Sequence, residues 1–138
     1  MSRCSADATW HGSLIDGNGE VSLESGLWAG SYGQPDSDDV SNPEELLAAA
    51  HSSCFAMTVS YLLTEAGYTP ESVNVAADVE LVQREQAFEI PTISLTVRGS
   101  VPDATEEEFA AIVEKAEVAC PVSKALASPE IAATPVFE

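Results

Sequence analysis

Two thiols stand in settings where sulfur chemistry is feasible. Cys54 lies in the apolar stretch "LLAAAHSSCFAMTVSYLL", and Cys120 stands directly before a proline in "EVACPVSKAL". Free cysteine is among the most often buried residue types and behaves as a small apolar group, so Cys54 is either a packing residue or a reagent. In mid-helix it gains nothing from the N-terminal dipole, and a lowered pKa would need a cation or donor from another element. Cys120 is better placed. If Pro121 opens a helix, Cys120 is its N-cap, where backbone N–H groups and the dipole favour a thiolate; otherwise it merely ends the preceding helix. His51 sits one helical turn before Cys54 and shares its face, as a base–thiol pair or as hydrogen-bonded packing. With Cys54 it supplies only two ligands, short of a metal site. Glu44 and Glu45 are accounted for as first-turn acids of a helix, and Cys4, in the N-terminal segment, is given no role.

The cysteine count supports a thiol pair with work to do. Cys4, Cys54 and Cys120 are odd in number and lack a CxxC spacing, which argues against a disulfide scaffold or a structural zinc site. "MSRCSADATW" has no signal-peptide apolar core and no uninterrupted apolar run reaches transmembrane length, so the expected location is the cytoplasm. A cysteine pair in that reducing compartment is catalytic or redox-active more often than structural. The charge balance narrows the partners. Five Lys plus Arg face 23 Asp plus Glu, a net charge of −18, and such a surface repels nucleic acid and anionic membrane. The acids are scattered along the whole chain, as in a salt-adapted protein whose self-repulsion is screened by concentrated salt.

The elements that must position these residues follow from pattern and punctuation. At 138 residues, 45% apolar and 20% charged, the chain fits one globular domain, 1–138. An N-terminal hairpin and loop occupy about 5–41, with Asp16-Gly17-Asn18-Gly19 as the turn; "LWAGSYGQPDSDDVS" loses its apolar period and gathers Gly, Pro, Asp and Ser, as a strand remnant followed by a loop. A central helix occupies about 42–66: Asn42 caps it, Pro43 suits its first position, Glu45 completes a capping box, and Gly67 ends it. C-terminal strands and helices fill about 71–138. "SVNVAADVELVQ" and "IPTISLTVRGSV" alternate as strands. "TEEEFAAIVEKAEVA" is an amphipathic helix with a Thr105–Glu108 capping box and an apolar stripe of Phe109, Ile112, Val113 and Ala116. Pro121 breaks that helix and could open a further short turn of helix, and "EIAATPVF" reads as a last strand. The order indicates an α+β fold, an antiparallel sheet around one dominant helix. Because that helix is apolar nearly all round, it needs more cover than one small sheet supplies, and a homodimer would provide it.

"NPEELLAAAHSSCFAMTVSYLLTEAGYTPESV" followed by "ACPVSKAL" resembles the OsmC/Ohr family of thiol-dependent hydroperoxide reductases, and its OsmC branch more closely. The resemblance extends from "TWHGSLIDGNGEVSLESG" to the final strand. It implies an intertwined homodimer with two long central helices and active sites at the subunit interface. It implies that Cys54 attacks the peroxide O–O bond and becomes a sulfenic acid, that Cys120 condenses with it to a disulfide, and that an external dithiol reduces the bridge. No metal or organic cofactor is required, because two thiols carry both electrons. The resemblance also implies that Glu44, with an arginine, holds the reactive thiolate. Ten residues of helix separate Glu44 from Cys54, about 15 Å at the helical rise, so the glutamate would come from the partner chain. The arginine is missing: "SYGQPDSDDVS" contains no Arg or Lys, and Arg3, Arg84 and Arg98 do not match the motif. Lys124, His51 or one of those arginines could substitute. The expected activity is reduction of organic hydroperoxides or hydrogen peroxide, attenuated if no cation replaces the arginine. The alternative is a thiol sensor or binding protein that bridges Cys54 and Cys120 reversibly without turnover.

Overall fold

The computed structural model describes residues 2–127 and 131–135. Among the described residues the chain is α+β: three strands, a long helix, two more strands and two helices, with antiparallel sheets. It divides into two compact units, residues 1–47 with 79–91, and residues 48–78 with 92–138.

The first unit holds β1 (Ala6–His11), β2 (Asn18–Leu23) and β3 (Ala29–Tyr32), an antiparallel sheet in the order β1-β2-β3. Trp10 pairs with Gly19 and Gly19 with Tyr32. The absence of a side chain at Gly19 is required there, because a Cβ would collide with the rings of Tyr32 and Trp10. Asn18 and Gly19, expected in the turn, belong to β2; the reversal lies in residues 12–17, with Gly12 at φ 89°. The loop after β3 is tied back by Gly33 N–H to the Ser41 carbonyl and by Ser41 N–H to the Ser31 carbonyl.

Helix α1 (Pro43–Glu65) starts where its punctuation indicates. Asn42 Oδ1 accepts from Glu45 N–H at 2.8 Å. Only half of the expected capping box forms, since the Glu45 carboxylate accepts from the Ser41 hydroxyl instead. At the other end Tyr68 N–H bonds the Leu63 carbonyl and Gly67 N–H the Thr64 carbonyl, with Gly67 at φ 94°. This is a Schellman stop, and it needs a residue free to adopt left-handed backbone.

The second unit is built on one face of α1. His51, Phe55, Val59 and Leu63 recur every four residues and are the buried positions of the helix. Phe55, Val59 and Leu63 meet Ile112 and Ala116 of α2 (Glu106–Ala119) and Cys120 in one core. Val73 and Val75 of β4 (Ser72–Arg84) and Leu95 and Val97 of β5 (Ala87–Ser100) pack against it, on alternate positions of strands that neighbour one another in a two-stranded sheet. The Thr105–Glu108 capping box opens α2 with both reciprocal bonds. Helix α3 (Pro121–Ala127) follows directly.

Three expectations are modified. The chain itself buries α1 along one stripe and leaves Met57 (74%) and Tyr61 (62%) exposed. By length and composition α1 would also suit a membrane span, against the expectation that no apolar run reaches that length. The last strand, expected over 130–137, does not form at residues 131–135, and its remaining positions lie outside the described residues.

Candidate functional site

Cys120 continues the stripe of α2. Ile112, Ala116 and Cys120 are spaced by four, which carries the sulfur into the core at 0% exposure. Its N–H still closes the last bond of α2 on the Ala116 carbonyl, while its carbonyl accepts from Lys124 N–H, the first bond of α3. Cys120 is therefore both the end of one helix and the cap of the next, because Pro121 cannot extend α2 but fits the first position of α3.

The two sulfurs meet. Cys120 Sγ and Cys54 Sγ lie 3.5 Å apart, across 66 positions of sequence, and neither is in a disulfide. Cys54 is half-buried at the edge of the core. Cys4 is exposed.

The donors around Cys120 determine its ionisation. Burial pushes its pKa up, but hydrogen bonds from Ser123 N–H, the Ser123 hydroxyl and Val122 N–H, with the contact to Cys54 Sγ, outweigh that penalty and bring it below the usual thiol value. These donors are neutral groups. Of the cations weighed as substitutes for the missing arginine, Arg84 pairs with Glu89 at 2.8 Å. Arg3, Arg98 and Lys124 are exposed, and His51 Nε2 lies 2.7 Å from Ser123 Oγ. His51 is 5% exposed, and burial lowers its pKa, favouring the neutral ring. Its Nδ1 is buried with no partner among the described residues.

Ser123 escaped sequence reasoning, although its signal is present. With Cys120 as cap and Pro121 as first residue, Ser123 is the third residue of α3, whose N–H turns back toward the cap side chain.

Glu44 belongs to the first unit. In the first turn of α1 it lines an apolar cavity of about 330 Å³ with Trp10, Leu14, Tyr32, Pro35 and Phe88. Its Oε2 is buried with no hydrogen-bond partner among the described residues.

Fold and site together define a class: an α+β protein with two close-approaching thiols, one half-buried and one buried, the inner sulfur held by hydrogen-bond donors. Residues 36–134 match the family of OsmC-like proteins. The chain is 42% identical over 123 residues to Peroxiredoxin OsmC of Escherichia coli strain K12, covering 86% of each. Among solved structures it resembles an organic hydroperoxide resistance protein of Elizabethkingia anophelis with a TM-score of 0.69 and 28% identity, covering 90% of this chain and 89% of that one. An OsmC organic hydroperoxide resistance protein of Legionella pneumophila gives a TM-score of 0.69 at 25% identity, with 88% of both chains covered. The chain belongs to the OsmC-like protein family.

Proposed function

We propose that this protein is a cysteine-based peroxidase that reduces organic hydroperoxides or hydrogen peroxide, with Cys54 as the attacking thiol and Cys120 as the resolving thiol. The observation that carries the reading is the 3.5 Å approach of the two sulfurs, one half-buried and one fully buried. The names of its relatives, a peroxiredoxin and hydroperoxide resistance proteins, support the same chemistry.

The sequence of steps balances without a metal or organic cofactor. The Cys54 thiolate attacks the peroxide O–O bond, taking one oxygen as sulfenic acid while the other leaves as alkoxide or hydroxide and is protonated. The Cys120 thiolate then attacks Cys54 Sγ; the S–S bond forms, the S–O bond breaks, and hydroxide leaves as water. An external dithiol returns two electrons by thiol–disulfide exchange. That dithiol attacks the more accessible Cys54 sulfur, expelling Cys120, and a low-pKa thiol is the better leaving group.

Glu44 is assigned the orientation of the peroxide and thiolate, supplied by a second copy of the chain. The exposed Met57 and Tyr61 on an otherwise apolar α1 support a homodimer in which that face is covered. A dithiol that must be reduced to act suits a reducing compartment, the cytoplasm.

The test is hydroperoxide consumption with a dithiol such as dihydrolipoate. Wild type should turn over and Cys54→Ser should not. Equal rates in both would remove the reading, and reversible Cys54–Cys120 bridging without turnover would indicate the sensor alternative.

A further inference from the structure

We infer that His51 is a positioning residue for the resolving thiol: its ring orients the Ser123 hydroxyl to donate to Cys120 Sγ, the sulfur that closes on an oxidised Cys54. The inference rests on the peroxidase reading above, since it concerns that reading's second step.

A serine hydroxyl has one proton and two lone pairs. Ser123 Oγ has two partners here, His51 Nε2 at 2.7 Å and Cys120 Sγ. If Nε2 carries the ring proton, it occupies a lone pair of Oγ, and the hydroxyl proton is left for the sulfur. With the opposite tautomer the hydroxyl turns to Nε2, and the sulfur loses a donor. The other ring nitrogen decides between them. Nδ1 is buried with no partner among the described residues. A proton there would be an orphaned buried N–H, a rarer feature of folded proteins than an under-satisfied acceptor. A neutral ring has one proton, and burial keeps His51 neutral, so that proton sits on Nε2.

The surroundings keep this polarity fixed. The ring stands edge-on to Phe55, centroids 6.3 Å apart, and burial is the cause of its lowered pKa. Of the other titratable groups on α1, α2 and α3, Cys54 and Glu44 are half-buried and Cys120 is buried, while Tyr61, Lys124 and every remaining acidic or basic side chain of these helices are exposed. In the resolving step the sulfur's electron pair forms the S–S bond, the Cys54 S–O bond breaks, and the departing hydroxide takes a proton from solvent. The released Ser123 hydroxyl remains aimed at the sulfur, ready to receive Cys120 as leaving group during reduction.

The test follows the ¹³Cβ shift of Cys120 against pH in the reduced, full-length protein, without peroxide. Ser123→Ala should raise the Cys120 midpoint by about one unit, the loss of one hydrogen bond to a charged group. His51→Ala should raise it in the same direction, and His51→Gln, which retains a side-chain N–H at similar reach, should hold it near the wild-type value. In the Ser123→Ala background, His51→Ala should add nothing, because its effect passes through the hydroxyl. An unchanged midpoint in Ser123→Ala or in His51→Ala, or an equal increment from His51→Ala with and without Ser123, would overturn the inference. Since the titration uses no peroxide, it can fail while the peroxidase reading stands, and the reverse.

Discussion

Oxidation should cross-link Cys54 to Cys120 within the folded protein, and the link should stabilise it measurably. The sulfurs are 3.5 Å apart and a disulfide needs about 2.05 Å, so closure requires an approach of about 1.5 Å. Cys120, at a helix junction rather than mid-helix, can supply most of that shift. The bridge closes a loop of 66 residues, for which the chain-entropy relation gives about 4 kcal/mol at 25 °C. Strain from the closure subtracts from this, leaving about 2–4 kcal/mol. Unfolding entropy near 2.1 cal/mol/K per residue amounts to about 0.3 kcal/mol/K for this chain, so the melting temperature should rise by roughly 7–14 °C. Differential scanning calorimetry of diamide-oxidised and reduced protein measures it, with Cys120→Ser carried through the same treatment. No rise relative to that control, despite a mapped Cys54–Cys120 link, would show that the paired geometry is not that of the native fold.

Further outcomes follow from burial and charge. The lowered pKa of His51 means that the unfolded chain takes up a proton before the folded one does. Its contribution to stability is therefore full above about pH 6.5 and falls as pH drops, by at most about 1.4 kcal/mol per pH unit; His51→Gln should lose that slope in urea titrations compared across pH. Leu63→Ala, at a fully buried position, should cost about 2–5 kcal/mol in the same assay. Met57→Asp, on the exposed face of α1, should instead halve the mass seen by sedimentation if a second copy covers that face; an unchanged mass would contradict the dimer. With a net charge of −18, the melting temperature should rise as potassium chloride goes from about 0.05 M to about 1 M, where the Debye length falls to about 3 Å; a flat response would count against salt adaptation.

Local punctuation carried much of this architecture. Asn42-Pro43 and Gly67 bound α1, Thr105 and Glu108 cap α2, and Cys120-Pro121 separates α2 from α3, because caps and breaks act over a few residues. The glycine-rich turn was harder: Asp16 to Gly19 all tolerate a turn, but pairing of Gly19 with Trp10 and Tyr32 draws Asn18 and Gly19 into β2. The apolar circumference of α1 was legible, and what covers each side was not, since periodicity does not say how much of a surface one chain can enclose. At the site, the cysteine motifs carried a family resemblance, but the contact between their sulfurs is a tertiary fact spanning 66 positions. The bond from His51 to Ser123 is of the same kind, spanning 72 positions, and no local pattern links them. The missing arginine left the charge partner of Cys54 open, and the hydrogen-bond donors that the structure gathers at the helix junction are neutral and surround Cys120.

The most direct measurement supplies one equivalent of cumene hydroperoxide to reduced protein with dimedone present, then maps every cysteine by peptide mass spectrometry. Wild type should yield a Cys54–Cys120 disulfide and one alcohol per link, and Cys120→Ser should yield a dimedone adduct on Cys54. Unconsumed hydroperoxide, or an adduct that forms on Cys120 while Cys54 remains a thiol, would contradict the account.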